Sequence, residues 1–173
     1  MRIALYTFGV FRERADHLVN EGFYDRHDPS MDQVEAAPGF IARSGYDGDP
    51  GPQSWGQQVW PEFYRERGDG WSPATLSLWE APGAIAAFAY RGIHGEAVRL
   101  GRNWFVEPQW PPYALWWVAD DHLPDWSEAV ARHRLLHETG PSPSVFDLRT
   151  VFGPDGDPMA LDPGRWRRAM DQH

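Results

Sequence analysis

The amino-acid sequence predicts an α+β fold, as its residue pattern and its length indicate. Short runs of β-branched and aromatic residues alternate with helical stretches in the order strand, helix, strand, loop, strand, helix, strand. The 173 residues fit one domain, and the many aromatic side chains can supply a core of that size. Residues 75–120 are the clearest part, because two strand patterns there flank a long helical pattern.

The first half of the chain contains two predicted strands and one predicted helix. Residues 3–10 and residues 40–46 are rich in β-forming side chains, which favours strands. Asp28 followed by Pro29 is the pattern of a helix N-terminus, and Pro38 is expected to end that helix.

Residues 48–73 form a long loop that is dense in glycine, proline and aromatic residues. Loops of this length without regular structure are usually functional or fold over another surface. The apolar content is too high for a flexible linker, so we expect this loop to cover a pocket or a second subunit. Its large aromatic residues are Trp55, Trp60, Phe63, Tyr64 and Trp71.

The central part of the chain reads as strand, helix, strand. Residues 75–80 alternate as a half-buried strand does. Pro82 opens a helical pattern that continues to Trp104, with Gly92 near its midpoint, where it permits a slight bend or close packing. Residues 113–118 are apolar on both faces, which predicts a strand in the centre of the sheet.

The last part of the chain adds one helix and one strand. Asp125 begins a capping-box pattern for a third helix, which is expected to end at Gly140. A final strand is predicted over residues 145–152. We therefore predict one domain over residues 1–153 and a turn-rich tail over residues 154–173 that wraps the surface or a partner.

The β-α-β-β-α-β order is that of a ferredoxin-like unit, an antiparallel sheet with helices on one face. A sheet whose other face is bare must cover that face, and the common solution is to pair with an identical sheet in a twofold dimer. We therefore expect a homodimer.

Charge and composition exclude several classes of function. A net charge of −9 argues against nucleic acid and anionic membranes as partners, since both need a basic surface. The basic residues 165–168 are interpreted as a solvated tail end. The absence of cysteine excludes disulfides, thiolate catalysis and cysteine-ligated zinc. No run resembles a signal peptide or a transmembrane helix, so a soluble, cytoplasmic protein is expected.

Five segments resemble a known family: PGFIARSG, ATLSLWE, FAYRGIHGEAVRLGRNWF, YALWWVADDHLP and HETGPSPSVFDLR. They are similar to the family called domain of unknown function 3291, with matching pieces between residues 3 and 153. The strand ending in Trp-Glu and the helix with a central histidine also resemble the wider superfamily of antibiotic biosynthesis monooxygenase-like dimeric α+β barrels. This resemblance implies a homodimer of ferredoxin-like units, each with a cavity between sheet and helices. The wider group includes cofactor-free monooxygenases that act on aromatic polyketides and enzymes that degrade haem.

Three neighbouring residues of the long predicted helix are the candidate catalytic residues. Tyr90 and His94 are four residues apart and are therefore expected on one helical face. His94 can serve as a general base, as an axial ligand of haem if the resemblance extends that far, or as a structural histidine. Arg91 can orient a carboxylate or phenolate, or tie the helix to an acidic loop.

A set of tryptophans is compatible with a cavity for a flat apolar ligand, although core and dimer packing explain them equally well. The set comprises Trp79, Trp104, Trp116, Trp117, Trp55 and Trp60. His133 and His137 have metal-ligand spacing but no evident third ligand, so we interpret them as structural and predict no metal site. No dinucleotide-binding motif and no nucleophile elbow is present.

The leading hypothesis is an enzyme resembling cofactor-free monooxygenases, acting on a flat apolar or aromatic substrate. His94 would transfer a proton, and Arg91 and Tyr90 would orient the substrate. The first alternative is a haem-binding protein with His94 as axial ligand. The second is a non-catalytic small-molecule-binding or interaction module in which loop 48–73 acts as a lid or a partner surface.

Overall fold

The computed structural model describes residues 1–89 and 91–170. The strands are β1 (Arg2–Phe8), β2 (Phe40–Arg43), β3 (Ala74–Trp79), β4 (Tyr113–Val118), β5 (Val151–Phe152) and β6 (Pro158–Met159). The helices are α1 (Glu21–Glu35), α2 (Pro82–Ala89), α3 (Gly92–Leu100), α4 (Trp126–Thr139) and α5 (Gly164–Met170). The predicted α+β class is confirmed. None of these helices is long and apolar enough to cross a membrane.

Strands β1 to β4 form an antiparallel sheet in the order β2-β3-β1-β4. The predicted β-α-β-β-α-β order is present, with its second helix in two parts. The central position predicted for residues 113–118 is wrong, because β4 lies at an edge. Its apolar character has another cause. The backbone of Leu115 exchanges two hydrogen bonds of 2.8 Å with Phe146, and α4 packs against β4, so this edge strand is also buried.

The sheet carries a hydrophobic core on each face. One core lies beneath α1, α2 and α5 and includes Ile3 and Trp79. The other includes Tyr6 and Trp116 and is covered by α4 and by aromatic residues of loop 48–73. The second face is therefore covered within the chain. The prediction of a bare face, with helices on one side only, is wrong.

Helix α1 begins about two turns before the predicted start. The Asp28–Pro29 pair is not a helix N-terminus, because α1 starts at Glu21 and continues through Pro29. Proline inside a helix removes one backbone hydrogen bond. Pro29 is exposed, so water can hydrate the carbonyl group that loses its partner.

Helix α4 confirms the prediction at both of its ends. The Asp125 carboxylate accepts a hydrogen bond of 2.7 Å from the backbone N–H of Glu128, which caps the first turn. Gly140 follows the last turn with φ +73°, a value that favours glycine.

The long helix predicted from Pro82 is interrupted. Arg91 has an extended backbone with φ −118° and ψ 162°, and Gly92 has φ +52°. The side-chain carbonyl of Gln33, on α1, accepts hydrogen bonds from the backbone N–H groups of Ile93 (3.0 Å) and His94 (3.4 Å). A tertiary contact therefore starts α3 as a separate helix.

The end of the chain is part of the packed structure. The strand predicted over residues 145–152 is reduced to β5, which pairs with β6. Helix α5 places the Trp166 ring in the core beneath α1 and α2, with 9% of the residue exposed. The prediction that residues 165–168 are solvated is therefore wrong for Trp166. The three arginines beside it are exposed.

Candidate active site

A cavity of about 1110 Å³ lies between helices α1, α2 and α3 and the face of the sheet that contains Leu5 and Trp79. Pockets for small molecules and cofactors commonly have about 300–1,000 Å³, so this cavity has room for a large ligand. Much of its wall is aromatic. The large aromatic lining residues include Phe23, Phe40, Trp71, Trp79, Phe88 and Trp104.

The floor of the cavity changes from apolar to polar along the strands. Ile3 pairs with Trp79 at one end of the sheet, and Thr7 pairs with Thr75 toward the other. The two threonine hydroxyls lie 2.7 Å apart and hydrogen-bond to each other. Each hydroxyl has one hydrogen and their mutual bond uses one, so the other remains for a ligand. Both threonines line the cavity.

His94 lines the same cavity, in the first turn of α3. Its Nδ1 lies 2.8 Å from the Ala89 carbonyl oxygen. A carbonyl oxygen only accepts hydrogen bonds, so Nδ1 carries the proton and Nε2 of the neutral ring holds a lone pair. No group in residues 1–89 or 91–170 hydrogen-bonds to Nε2.

The electrostatic environment keeps the His94 ring neutral near pH 7. Burial lowers the pKa of His94 below its ordinary value of 6.5, and the hydrogen bond to Ala89 opposes this shift. The ring centroid lies 4.7 Å from that of Phe88, so its neighbourhood is largely apolar. A neutral imidazole with an available lone pair can accept a proton or bind a metal ion.

The break between α2 and α3 sets the position of His94. A Cβ atom on Gly92 would lie 2.2 Å from Nε2 of Gln33, the side chain that caps α3. Glycine therefore permits both the left-handed backbone and the close approach of Gln33. The ring then reaches back to Ala89, the last residue of α2.

Neither of the other two candidate catalytic residues, Tyr90 and Arg91, is placed at the cavity by the structure. Tyr90 lies outside the described residues. Its predicted position on one helical face with His94 therefore stays a prediction. Arg91 is not among the described residues that line the cavity.

The six candidate tryptophans are divided between the two faces of the sheet. Trp79 and Trp104 line the cavity. Trp117 lies on the same side, and its indole N–H donates to the Phe152 carbonyl at 2.8 Å. The remaining three, Trp116, Trp55 and Trp60, pack in the core on the opposite face.

Two cavity-lining residues that the sequence did not indicate are Arg26 and Ser30 of α1. They are four residues apart and share one face of the helix. The predicted start of the helix at Asp28 separated them, so their common face could not be recognised. A predicted start at Glu21 would have placed them together.

His133 lies on the opposite face of the sheet and is fully buried. Its Nε2 donates a hydrogen bond of 2.6 Å to the Pro111 carbonyl, which is the contact expected of a structural histidine. Within the part of the chain that the structure describes, no group of three or more potential ligands is placed to hold a metal ion.

The free energy of unfolding is expected to fall as the pH drops below 6.5, the ordinary pKa of histidine. Burial lowers the pKa of both His94 and His133 in the folded state, so the unfolded chain binds protons that the folded chain does not. Above pH 6.5 both states are neutral at these rings, and the effect disappears. Each histidine can contribute a slope of at most about 1.4 kcal/mol per pH unit.

Urea unfolding between pH 5 and pH 7.5 measures this slope. His133→Phe removes one buried titrating ring and is expected to reduce the slope. His137→Phe, at an exposed position on the same helix, should have a smaller effect, because the charge of His137 is a lesser cause of the lowered His133 pKa than burial. Equal slopes in the wild type and in His133→Phe would contradict the assignment.

The sheet and the cavity define an α+β protein with a ligand-sized cavity between a four-stranded antiparallel sheet and its helices. Residues 2–161 match the family model described as Domain of unknown function (DUF3291), and the chain belongs to that family. The match confirms the family resemblance of the five sequence segments. No curated protein and no solved structure matches the chain.

Proposed function

We propose that the cavity binds a flat, mostly apolar or aromatic molecule, and that His94 removes a proton from it in a cofactor-free oxygenation of the monooxygenase type. One observation carries this proposal. Nδ1 of His94 donates to Ala89, which leaves Nε2 with a lone pair in a ring that lines the cavity. A base in this state at neutral pH is what removal of an activated C–H proton requires.

The chemistry needs three contributions from the protein. Nε2 of His94 accepts the proton when the C–H bond breaks, and the bonding electrons stay on the substrate as a delocalised carbanion. Dioxygen adds to that carbon to give a peroxide anion, which takes the proton back from Nε2 of His94. The hydroperoxide then loses water and leaves a carbonyl group, so one oxygen atom enters the product and the other enters water. The aromatic walls make the surroundings of the substrate largely apolar, and the remaining hydroxyl hydrogen of Thr7 or Thr75 can bind the developing enolate oxygen.

Arg91 and Tyr90 keep the orienting role only as a prediction from the sequence. Arg91 is absent from the cavity lining among the described residues, and Tyr90 lies outside them. In the proposed site, Trp104 lines the cavity and keeps a small exposed surface that can contact the flat face of the substrate. Trp79 is fully buried and supports the cavity wall from behind.

Anthrone, a tricyclic ketone with one activated CH2 group, is a suitable test substrate. With purified protein we expect one O2 consumed and one anthraquinone formed for each anthrone, at a rate above that of buffer. Quenching of tryptophan fluorescence by anthraquinone measures binding separately from turnover, since Trp79 and Trp104 line the cavity. Binding without turnover would contradict the enzymatic part, and the absence of both would contradict the whole proposal.

A second candidate function is haem binding with His94 as axial ligand. The observation that favours it is again the Nδ1–H bond to Ala89, because metal-ligating histidines usually donate their other ring N–H to a carbonyl or carboxylate. The residues present fit the group, since Nε2 has its lone pair and the cavity offers about 1110 Å³. A haem held there would supply iron for electron transfer or oxygen chemistry.

Titration with hemin distinguishes the two candidates. If haem is the natural ligand, a Soret band should develop to a 1:1 stoichiometry in the wild type and in His137→Ala, and should be lost in His94→Ala. His137 is a matched control because it is exposed on α4, on the opposite side of the sheet. A band of equal strength in His94→Ala would remove the axial-ligand assignment.

The homodimer remains a prediction from the resemblance, and its physical argument has changed. The face of the sheet on which it was based is covered by α4 and loop 48–73, so a dimer would have to use another surface. Loop 48–73 packs Trp55 and Trp60 against that face, away from the cavity floor. Light scattering distinguishes a 19.8 kDa chain from a species of twice that mass.

A further inference from the structure

Two polar side chains of α1 have buried groups with no hydrogen-bond partner in the described chain. Ser30 is 5% exposed, and its Oγ has no partner. Nε of Arg26, one helical turn earlier, is also buried without a partner. Both residues line the cavity. A buried polar group left unpaired costs about 1–3 kcal/mol, so two such groups on one cavity wall need an explanation.

The rest of the Arg26 side chain is held in place. Nη1 donates to the Gly22 carbonyl at 2.8 Å, and Nη2 donates to the Glu96 carboxylate at 2.9 Å. These two bonds fix the guanidinium plane, which leaves the Nε–H as the donor for a further acceptor. Ser30 supplies a second donor on the same face of α1.

Cationic side chains are concentrated at this end of the cavity, around Trp104. Gly22, which accepts a hydrogen bond from Arg26, packs against the Trp104 ring. Arg12 donates its backbone N–H to the Trp104 carbonyl at 2.8 Å, and Arg102 precedes Trp104 by two residues. All three arginines line the cavity, together with the carboxylates Glu107 and Asp147, and Glu96 already pairs with Arg26. An anionic ligand group is favoured here although the chain as a whole carries a net charge of −9.

We propose that Arg26 and Ser30 form a subsite for a carboxylate of the ligand, so that the substrate is an acidic aromatic molecule. The proposal rests on the binding function proposed above and adds the class of ligand and its direction in the cavity. The carboxylate lies against Arg26 and Ser30, and the reacting carbon lies at His94.

The helix geometry sets the length of such a ligand. Gln33 bonds to the backbone of His94, so His94 lies level with residue 33 of α1. With a rise of 1.5 Å per residue, Ser30 lies about 4.5 Å and Arg26 about 10 Å along the helix axis from that level. An extended polycyclic molecule with a terminal carboxylate spans this distance.

Anthracene-2-carboxylate and its neutral amide are matched probes for the subsite. Energy transfer from tryptophan to the anthracene ring measures the Kd of each probe. The wild type is expected to bind the carboxylate about tenfold more tightly than the amide, as a charge-assisted hydrogen bond allows. Ser30→Ala and Arg26→Gln should each reduce that ratio to about twofold or less, because the carboxylate loses more affinity than the amide.

Two further variants make the test specific. Arg132→Gln is the matched control, because Arg132 also pairs with a glutamate but lies on α4, on the opposite face. It should retain the tenfold ratio. Arg26→Lys keeps the charge and removes the Nε–H, so the ratio should again fall even if Arg26→Gln does not fold.

The possible outcomes separate the subsite from the function on which it rests. Equal affinity of the wild type for both probes overturns the subsite and leaves the cavity proposal intact. No binding of either probe overturns both. If the preference for the carboxylate probe survives in Ser30→Ala and Arg26→Lys but disappears in Arg102→Gln, the carboxylate subsite does not lie on α1.

Discussion

Replacement of His94 with alanine is expected to reduce kcat/KM for anthrone oxidation by about 10²–10⁴-fold, the usual contribution of a positioned general base. The loss should appear mainly in kcat, because the ring contributes little of the apolar surface that binds the substrate. His94→Gln should not restore activity, since an amide cannot accept the proton. His137→Ala is the control and should keep the activity of the wild type.

The pH profile of kcat/KM checks the same assignment. A base must be neutral to act, and burial lowers the pKa of His94 below 6.5. Activity should therefore be constant above neutral pH and fall in acid, with a midpoint below 6.5. If residual activity in His94→Ala shows the same acid limb, another group is responsible for it and His94 is not the base.

Gly39→Ala is expected to lower the free energy of unfolding by about 2–4 kcal/mol, the sum of a left-handed backbone cost and overpacking. Gly39 has φ +83°, and an added Cβ would lie 2.6 Å from the Trp166 ring and 2.7 Å from the Cβ of Ala84. The rigid ring and the helix backbone give little room for adjustment. The change therefore reports how α5 packs against the start of β2.

Gly48→Ala provides a closely matched control. Gly48 also has φ +83°, but an added Cβ would meet no atom within 4 Å. The free energy of unfolding of Gly48→Ala should fall by only about 1–2 kcal/mol, the cost of the left-handed backbone. Urea unfolding of both variants gives the difference, which should shrink in a Trp166→Ala background. An equal loss in the two variants would show that Trp166 does not occupy this position in solution.

The parts of the fold that the sequence predicted correctly depend on local signals. The Asp125 cap and Gly140 define both ends of α4, because the capping side chain and the left-handed residue lie within a few residues of the helix. The strand over residues 113–118 has the predicted bounds. Its place in the sheet was wrong, since an apolar strand reports burial and not position.

The parts that the sequence predicted wrongly depend on contacts between distant residues. Gln33 starts α3 by bonding to the backbone of Ile93 and His94, which are 60 and 61 residues away. No pattern around Gly92 contains that information. The start of α1 was misplaced for a related reason, because the helix tolerates an exposed Pro29 once its buried face is packed.

The candidate site shows the same division. His94 was recognisable as a titratable residue beside an apolar stripe, and the structure places it on the cavity wall. Arg26 and Ser30 were not recognisable, because their relevance depends on a cavity between α1 and the sheet. The tryptophans were conspicuous in composition, yet only Trp79 and Trp104 of the six line that cavity.

The sequence by itself determined the α+β class, the order of the main elements and the family, because hydrophobic periodicity, capping residues and family motifs are properties of neighbouring residues. Only the tertiary structure decided which face of the sheet is covered, where the central helix is interrupted and which polar groups share a cavity. Those features arise from packing between segments far apart in the chain. For the same reason, the candidate chemistry now centres on the Nε2 lone pair of His94 and on the unpaired donors of Arg26 and Ser30.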